Sequence, residues 1–176
     1  MLKLSHKIGN SFYKRIGSRD ERLYKSNSNH PVNSFINVSQ YEALKVDAGN
    51  ENIRVLCREG CKIRFDLVDE KGEKGFALYQ NFALSSGNYN INIGGYSGNV
   101  GDAMQHQNNY AFSTKDKGNT ERAQRYKGGW WFEDSTLFCH LNGEYKPGKN
   151  EFRSLHWYPW REFENLAGVE IKVRTK

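Results

Sequence analysis

In KIRFDLV (62–68), Ile63, Phe65 and Leu67 alternate with Lys62, Arg64 and Asp66. A two-residue period sends the apolar side chains to one face and the charges to the other, so the segment predicts a half-buried strand. DEKGEKG then turns the chain, and FALYQNFAL (76–84) follows as a second strand. After another turn, SSGN, the residues Tyr89, Ile91 and Ile93 alternate with asparagines in YNINI. Successive strands joined by short turns predict an antiparallel meander. VEIKVR (169–174) alternates Val169, Ile171 and Val173 and closes the domain as one more strand.

Between residues 94 and 165 the period disappears. Glycine, asparagine and aromatic residues dominate, and only GDAMQHQ (101–107) suggests a short helix. So long an irregular stretch inside a domain is usually functional, or tied down by a metal or disulfide. The predicted class is α+β: an antiparallel sheet with short helices and a large loop-rich C-terminal subdomain. Residues 1–34 are expected to form a basic, poorly ordered arm that ends in the polar, turn-rich KSNSNHPVNS, and residues 35–176 the domain. No internal repeat is visible.

Composition sharpens this picture. The 176 residues suffice for one domain with a core, which must lean on aromatics (14% of the chain) because aliphatic residues are few. No run approaches the ~20 apolar residues of a membrane-spanning helix, and no signal peptide is visible at the start. Up to Lys25 there are seven Lys or Arg against two acids, five of the chain's net +6. The arm could therefore touch phosphates or acidic glycans, whereas the body is not a nucleic-acid binder. Of the three cysteines, Cys57 and Cys61 bracket CREGC and can close a local disulfide if the chain turns there. Asn37-Val38-Ser39 is a glycosylation sequon, which matters only in a secreted chain. His106, His140 and His156 have no evident catalytic partners, which argues against an enzyme.

The loop region resembles a known family. GGYSGNVGDAM (94–104), FSTKD (112–116), YKGGWW (126–131), LNGEY (141–145), WYPW (157–160) and EIKVR (170–174) occur in the order and approximate spacing of the fibrinogen C-terminal domain. ALYQNF (77–82) fits the upstream strand less well. The resemblance covers roughly residues 62–174. It implies a secreted, non-enzymatic recognition domain, as in ficolins, tachylectins, angiopoietins and tenascins. The family's opening motifs are not seen in residues 1–52, so the expectation is a partial domain whose N-terminal subdomain is missing or divergent.

The resemblance also supplies site residues. Asp116 matches the first aspartate of the family's calcium pair, but Gly118 stands at the second. One carboxylate plus carbonyls is a weak calcium site, since affinity follows ligand number and charge. The family's second disulfide would join the position of Arg122 to that of Ser135 or, with a small insertion, Cys139. It cannot form, which typically removes about 2–5 kcal/mol from a small secreted domain. Cys139 is then a free thiol or pairs with Cys57 or Cys61. In sugar-binding relatives an acetyl group sits against a tyrosine, matched by Tyr126, and beside a Cys-His step. That step falls on Cys139-His140, with Thr136 a rival for the histidine position. A later pocket aromatic falls at Glu151 or Phe152.

If Trp130 and Trp131 are extended they point to opposite sides, one into the core and one lining a surface funnel. The expected ligand-binding set is Tyr126, Trp131, Cys139, His140 and Tyr145. Trp130, Trp157 and Trp160 are expected in the core, and Asn142-Gly143 in a turn. The expected partner is an acetylated glycan, perceived in innate defence. The alternatives are an extracellular protein bound through the same loops, or a degenerate fragment that binds nothing. Oligomerisation is left open. On this reading Tyr126→Ala abolishes sugar retention and leaves unfolding nearly unchanged.

Overall fold

The structure, a computed structural model, describes residues 5–7, 36–37, 49–134, 137–146, 148 and 150–176, the first two segments as backbone only. Ser135 and Thr136, rival positions for the family's Cys-His step, lie outside the described residues.

The alternation in KIRFDLV becomes β3 (Cys61–Asp69), in which every second side chain is buried. The closing strand β10 (Leu166–Thr175) runs antiparallel beside it, with Ile171 opposite Phe65 and Val173 opposite Ile63. Both strands thus bury the same face. Their other face carries ion pairs, with Asp66 held by Arg64 and by Lys172, each at 2.7 Å. Strands β4 (Lys74–Leu84) and β5 (Ile91–Gly98) complete the expected meander. The outer edge of β10 is covered by β1 (Ser5–Lys7), within the stretch expected to be an arm, and by β2 (Ile36–Asn37). Among the described residues the sheet has six strands, in the order β1-β10-β3-β4-β5 with β2 also on β10.

Two details depart from simple alternation. β4 spends three steps, Tyr79 to Phe82, where β3 spends two, Cys61 to Ile63. This bulge lets Ala77, Tyr79, Phe82 and Leu84 all face the core, which a strict two-residue period forbids. The third strand was expected to begin at Tyr89. It begins at Ile91, because Tyr89 has φ +52, a left-handed turn conformation that cannot enter a ladder.

A short helix that the sequence pattern had not indicated, α1 (Asn50–Leu56), precedes the sheet and buries Ile53. It ends at Cys57, which forms a disulfide with Cys61 across 5.1 Å between Cα atoms. The local bridge therefore forms, and Cys139 is a buried free thiol.

The irregular half packs on the buried face of the sheet. It contains a 3-10 turn (Met104–Gln107), helices α2 (Thr120–Arg125) and α3 (Tyr158–Arg161), and two small ladders. One ladder joins β6 (Phe112–Ser113) to β7 (Trp130–Trp131); the other joins β8 (Cys139–His140) to β9 (His156–Trp157). Trp157 is fully buried, 5.6 Å from the Phe65 ring, and its indole N–H donates to the carbonyls of Val100 and Gly101. Trp130 is also core, whereas Trp160 is only partly buried, under the Arg161 guanidinium. Arg161 ties α3 to the β3–β4 hairpin by donating to the buried Asp69 at 2.8 Å and to Glu73.

Candidate functional site

The family-like loops converge where α2 ends. Asn119 caps this helix, its side-chain oxygen accepting from the Arg122 N–H, and Tyr126 closes it. Lys127 then takes a left-handed φ of +61, and Gly128 passes so close to the next loop that a Cβ would lie 2.2 Å from the Asn142 carbonyl oxygen. Asn142 donates from its side chain to the Gly129 carbonyl at 2.8 Å and stitches the two loops together. That close crossing requires glycine at 128.

Tyr126 and His140 come together as expected, with ring centroids 6.2 Å apart. His140 is fully buried and donates from Nε2 to the Tyr126 carbonyl at 3.0 Å, which leaves Nδ1 as a bare acceptor with no partner. Burial lowers its pKa to about 3, so it is a neutral imidazole. Phe132 stacks on Tyr126 at 5.4 Å, and Phe152 meets Tyr126 edge-on at 5.6 Å. Phe152 stands 41% exposed, so of the two positions considered for the later aromatic, Phe152 meets the tyrosine. The Arg125 and Arg153 guanidiniums lie 5.4 and 5.8 Å from its ring.

Other expected site residues lie elsewhere. Trp131 does not line a surface funnel: both tryptophans are buried, and Trp131 packs against Phe112 and donates its indole N–H to the Tyr89 carbonyl. Cys139 projects to the opposite side of β8 from His140, where its sulfur sits 3.3 Å from both Met104 Sδ and Gln107 Oε1. Burial, aided by the nearby charges of Glu133 and Asp102, pushes the thiol up and keeps it protonated. Tyr145 is half-buried and makes no ring contact with Tyr126. Tyr126 itself is only 8% exposed, so Tyr126→Ala cannot leave unfolding unchanged. Removing a buried aromatic ring typically costs about 3–5 kcal/mol.

Asp116 is exposed, and its carboxylate accepts from the Thr114 hydroxyl at 2.7 Å, which holds its pKa below the ordinary range. The turn is closed by Thr114 N–H donating to the Lys117 carbonyl. Gly118 has φ +75, and a Cβ there would lie 2.6 Å from Ser113 Oγ, an atom that already accepts from the Asn119 N–H. A second carboxylate thus has neither a residue nor room, and these residues do not fit a calcium ion. Among the described residues no cluster of three or more His, Cys, Asp or Glu side chains could hold a metal.

Among the described residues the histidines show no catalytic pairing. His156 hydrogen-bonds to the backbone carbonyls of Ser154 and Leu137 and meets the Phe163 ring edge-on, and His106 stacks on Phe138. No described helix is long and apolar enough to cross a membrane.

Comparison with known proteins accords with this arrangement. The family model for the C-terminal globular domain of fibrinogen beta and gamma chains matches residues 22–176. Techylectin-5A of Tachypleus tridentatus is 36% identical over 171 residues, which cover 90% of this chain and 56% of that protein. Human angiopoietin-related protein 7 is 39% identical over 139 residues, covering 73% of this chain and 40% of its own length. The chain thus spans about half the length of these relatives. Among solved structures, the fibrinogen-like globe domain of human ANGPTL2 superposes with a TM-score of 0.66 at 30% identity, over 72% of this chain and 64% of that one. The chain belongs to the fibrinogen C-terminal globular domain family, as a non-enzymatic domain of α+β fold.

Proposed function

We propose that this chain is an extracellular recognition domain that binds acetylated glycans through the loop cup around Tyr126 and Phe152, without calcium. The observation that carries the reading is the aromatic corner of Tyr126 and Phe152, rings 5.6 Å apart, one fixed in the core and the other open to solvent. Such a corner suits the apolar face of a sugar and its acetyl methyl, a contact worth only about 1 kcal/mol per methyl. Affinity then depends on several weak contacts and on multivalent display. His140 serves as a positioning residue that anchors Tyr126 through its carbonyl. Trp131 and Cys139 pack the body of the cup, and Tyr145 lies on a neighbouring loop. Similarity to techylectin-5A, by its name a lectin, favours a glycan over a protein partner.

The test is an N-acetylglucosamine column run with and without EDTA. Retention that free sugar reverses and EDTA leaves intact is expected, and Phe152→Ala should abolish it with little change in Tm. Flow-through of the folded wild-type protein would overturn the reading and favour a protein partner or loss of binding.

A further inference from the structure

The aromatic corner is ringed by cations. In segments 125–127 and 144–153 the described residues include Arg125, Lys127, Lys146 and Arg153 against two carboxylates, Glu144 and Glu151. Both carboxylates are already engaged. Lys146 pairs with Glu144 at 3.0 Å and lies 3.7 Å from Glu151, and Arg153 reaches Glu151 at a long 3.4 Å. Arg125 is exposed and, among the described residues, pairs with no carboxylate. Arg153 also has a buried Nε–H with no acceptor.

Geometry makes these charges usable. Each guanidinium lies within 6 Å of the same exposed ring, Arg125 at 5.4 Å and Arg153 at 5.8 Å from the Phe152 centroid. A guanidinium held against an aromatic ring keeps N–H donors on its edge that can grip a carboxylate or sulfate in a two-pronged contact.

We propose that the sugar taken by this site is acidic: an N-acetylated sugar carrying a carboxylate or a sulfate ester, with the anion held by Arg125 and Arg153 and the apolar face resting on Phe152. The proposal rests on the glycan reading above and adds charge selection to it. The two anions share one chemistry, and the assay separates them.

The intact chain is titrated with three immobilised sugars: N-acetylneuraminic acid, N-acetylglucosamine 6-sulfate and neutral N-acetylglucosamine. At least one acidic sugar should bind about tenfold more tightly than the neutral one at low salt, a step of about 1.4 kcal/mol. The preference should shrink in about 1 M salt, where the screening length falls to about 3 Å. Arg125→Gln should remove most of the preference while leaving neutral-sugar binding and Tm unchanged, and Arg125→Lys should restore part of it. Arg153→Gln should act in the same direction. Preference for only one acid identifies the anion and supports the proposal. Equal binding of acidic and neutral sugars, or an acid preference that survives Arg125→Gln, overturns it and leaves the glycan reading standing. Failure of the folded protein to bind all three overturns both. Arg125-dependent retention on heparin that no acetylated sugar competes away also overturns it, since charge alone would then suffice.

Discussion

His140 makes the domain sensitive to acid. Its imidazole is fully buried, spends its one proton on the Tyr126 carbonyl, and has no partner for Nδ1. A second proton would place a charge in a dry site, so burial lowers the folded-state pKa to about 3, against about 6.5 in the unfolded chain. The folded pKa is depressed, so between those values the unfolded state binds a proton that the folded state refuses. The stabilisation is fully present above pH 6.5 and is lost progressively as the pH falls towards 3. One proton costs about 1.4 kcal/mol per pH unit, or roughly 2 kcal/mol by pH 5. His156, whose pKa is also lowered by burial against the pull of the Ser154 and Leu137 carbonyls, acts in the same direction.

The assay is urea unfolding followed by tryptophan fluorescence at pH 7.5, 6, 5 and 4.5, for wild type and His140→Gln. Glutamine keeps an N–H donor for the Tyr126 carbonyl but cannot take up a proton. The variant starts less stable, and its stability should decline less steeply below pH 6.5, by about one proton. Surface carboxylates titrate alike in both proteins and cancel in the difference. Parallel curves, or a His140 ring resonance in the folded protein that titrates near pH 6.5, would refute the reasoning.

Arg161→Ala leaves the buried Asp69 carboxylate with only the Lys71 and Glu73 N–H groups, so Tm should drop by roughly 5 °C or more. Burial raises the Asp69 pKa, but Arg161 and the two N–H groups outweigh it and hold the pKa below the ordinary range. The stabilisation from this pair is therefore present above about pH 3.9 and fades below it, and a variant whose deficit persists unchanged at pH 2 would contradict the assignment. Cys139 should resist iodoacetamide in the native protein and react once urea unfolds it, so rapid labelling of the folded chain would disprove its burial. Arg122→Ala should cost about 1.5–3 kcal/mol, the value of a charged hydrogen bond, and an unchanged unfolding midpoint would show the contact to be idle.

Much of the sheet was legible because one face is dry and the other wet. Ile63, Phe65, Leu67, Ile171 and Val173 announce their strands by alternation alone. The bulge in β4 was missed because it shows only as a phase slip between Tyr79 and Phe82. Counting that slip as one extra residue traces the core face through Leu84. In the loops, no local pattern separates a tryptophan that lines a pocket from one that fills a core. Extended chain would send Trp130 and Trp131 to opposite sides, but their indoles meet edge-on 5.3 Å apart, Trp130 also facing His140 and Trp131 facing Phe112, and both are buried. Phe152 was visible as a candidate in the sequence. Its contact with Tyr126 was not, because it depends on two loops meeting at an angle that no spacing encodes.

Hydrogen bonds fasten the same loops. Where the resemblance puts the family's second disulfide, between Arg122 and either Ser135 or Cys139, Arg122 donates instead to the Asp134 carbonyl at 2.6 Å. A charged hydrogen bond of about 1.5–3 kcal/mol recovers much of the 2–5 kcal/mol typical of a disulfide. The Asp116 turn is fastened in the same way: the Thr114 hydroxyl holds Asp116, and Ser113 Oγ lies against Gly118 while accepting from Asn119. Asn119 in turn caps α2, the helix that carries Arg122 and ends at Tyr126. One chain of hydrogen bonds therefore runs from the Asp116 turn to the aromatic corner. Unlike a metal or a disulfide it answers to neither chelator nor reductant, so acid acting through the buried histidines is the condition under which the cup should come apart.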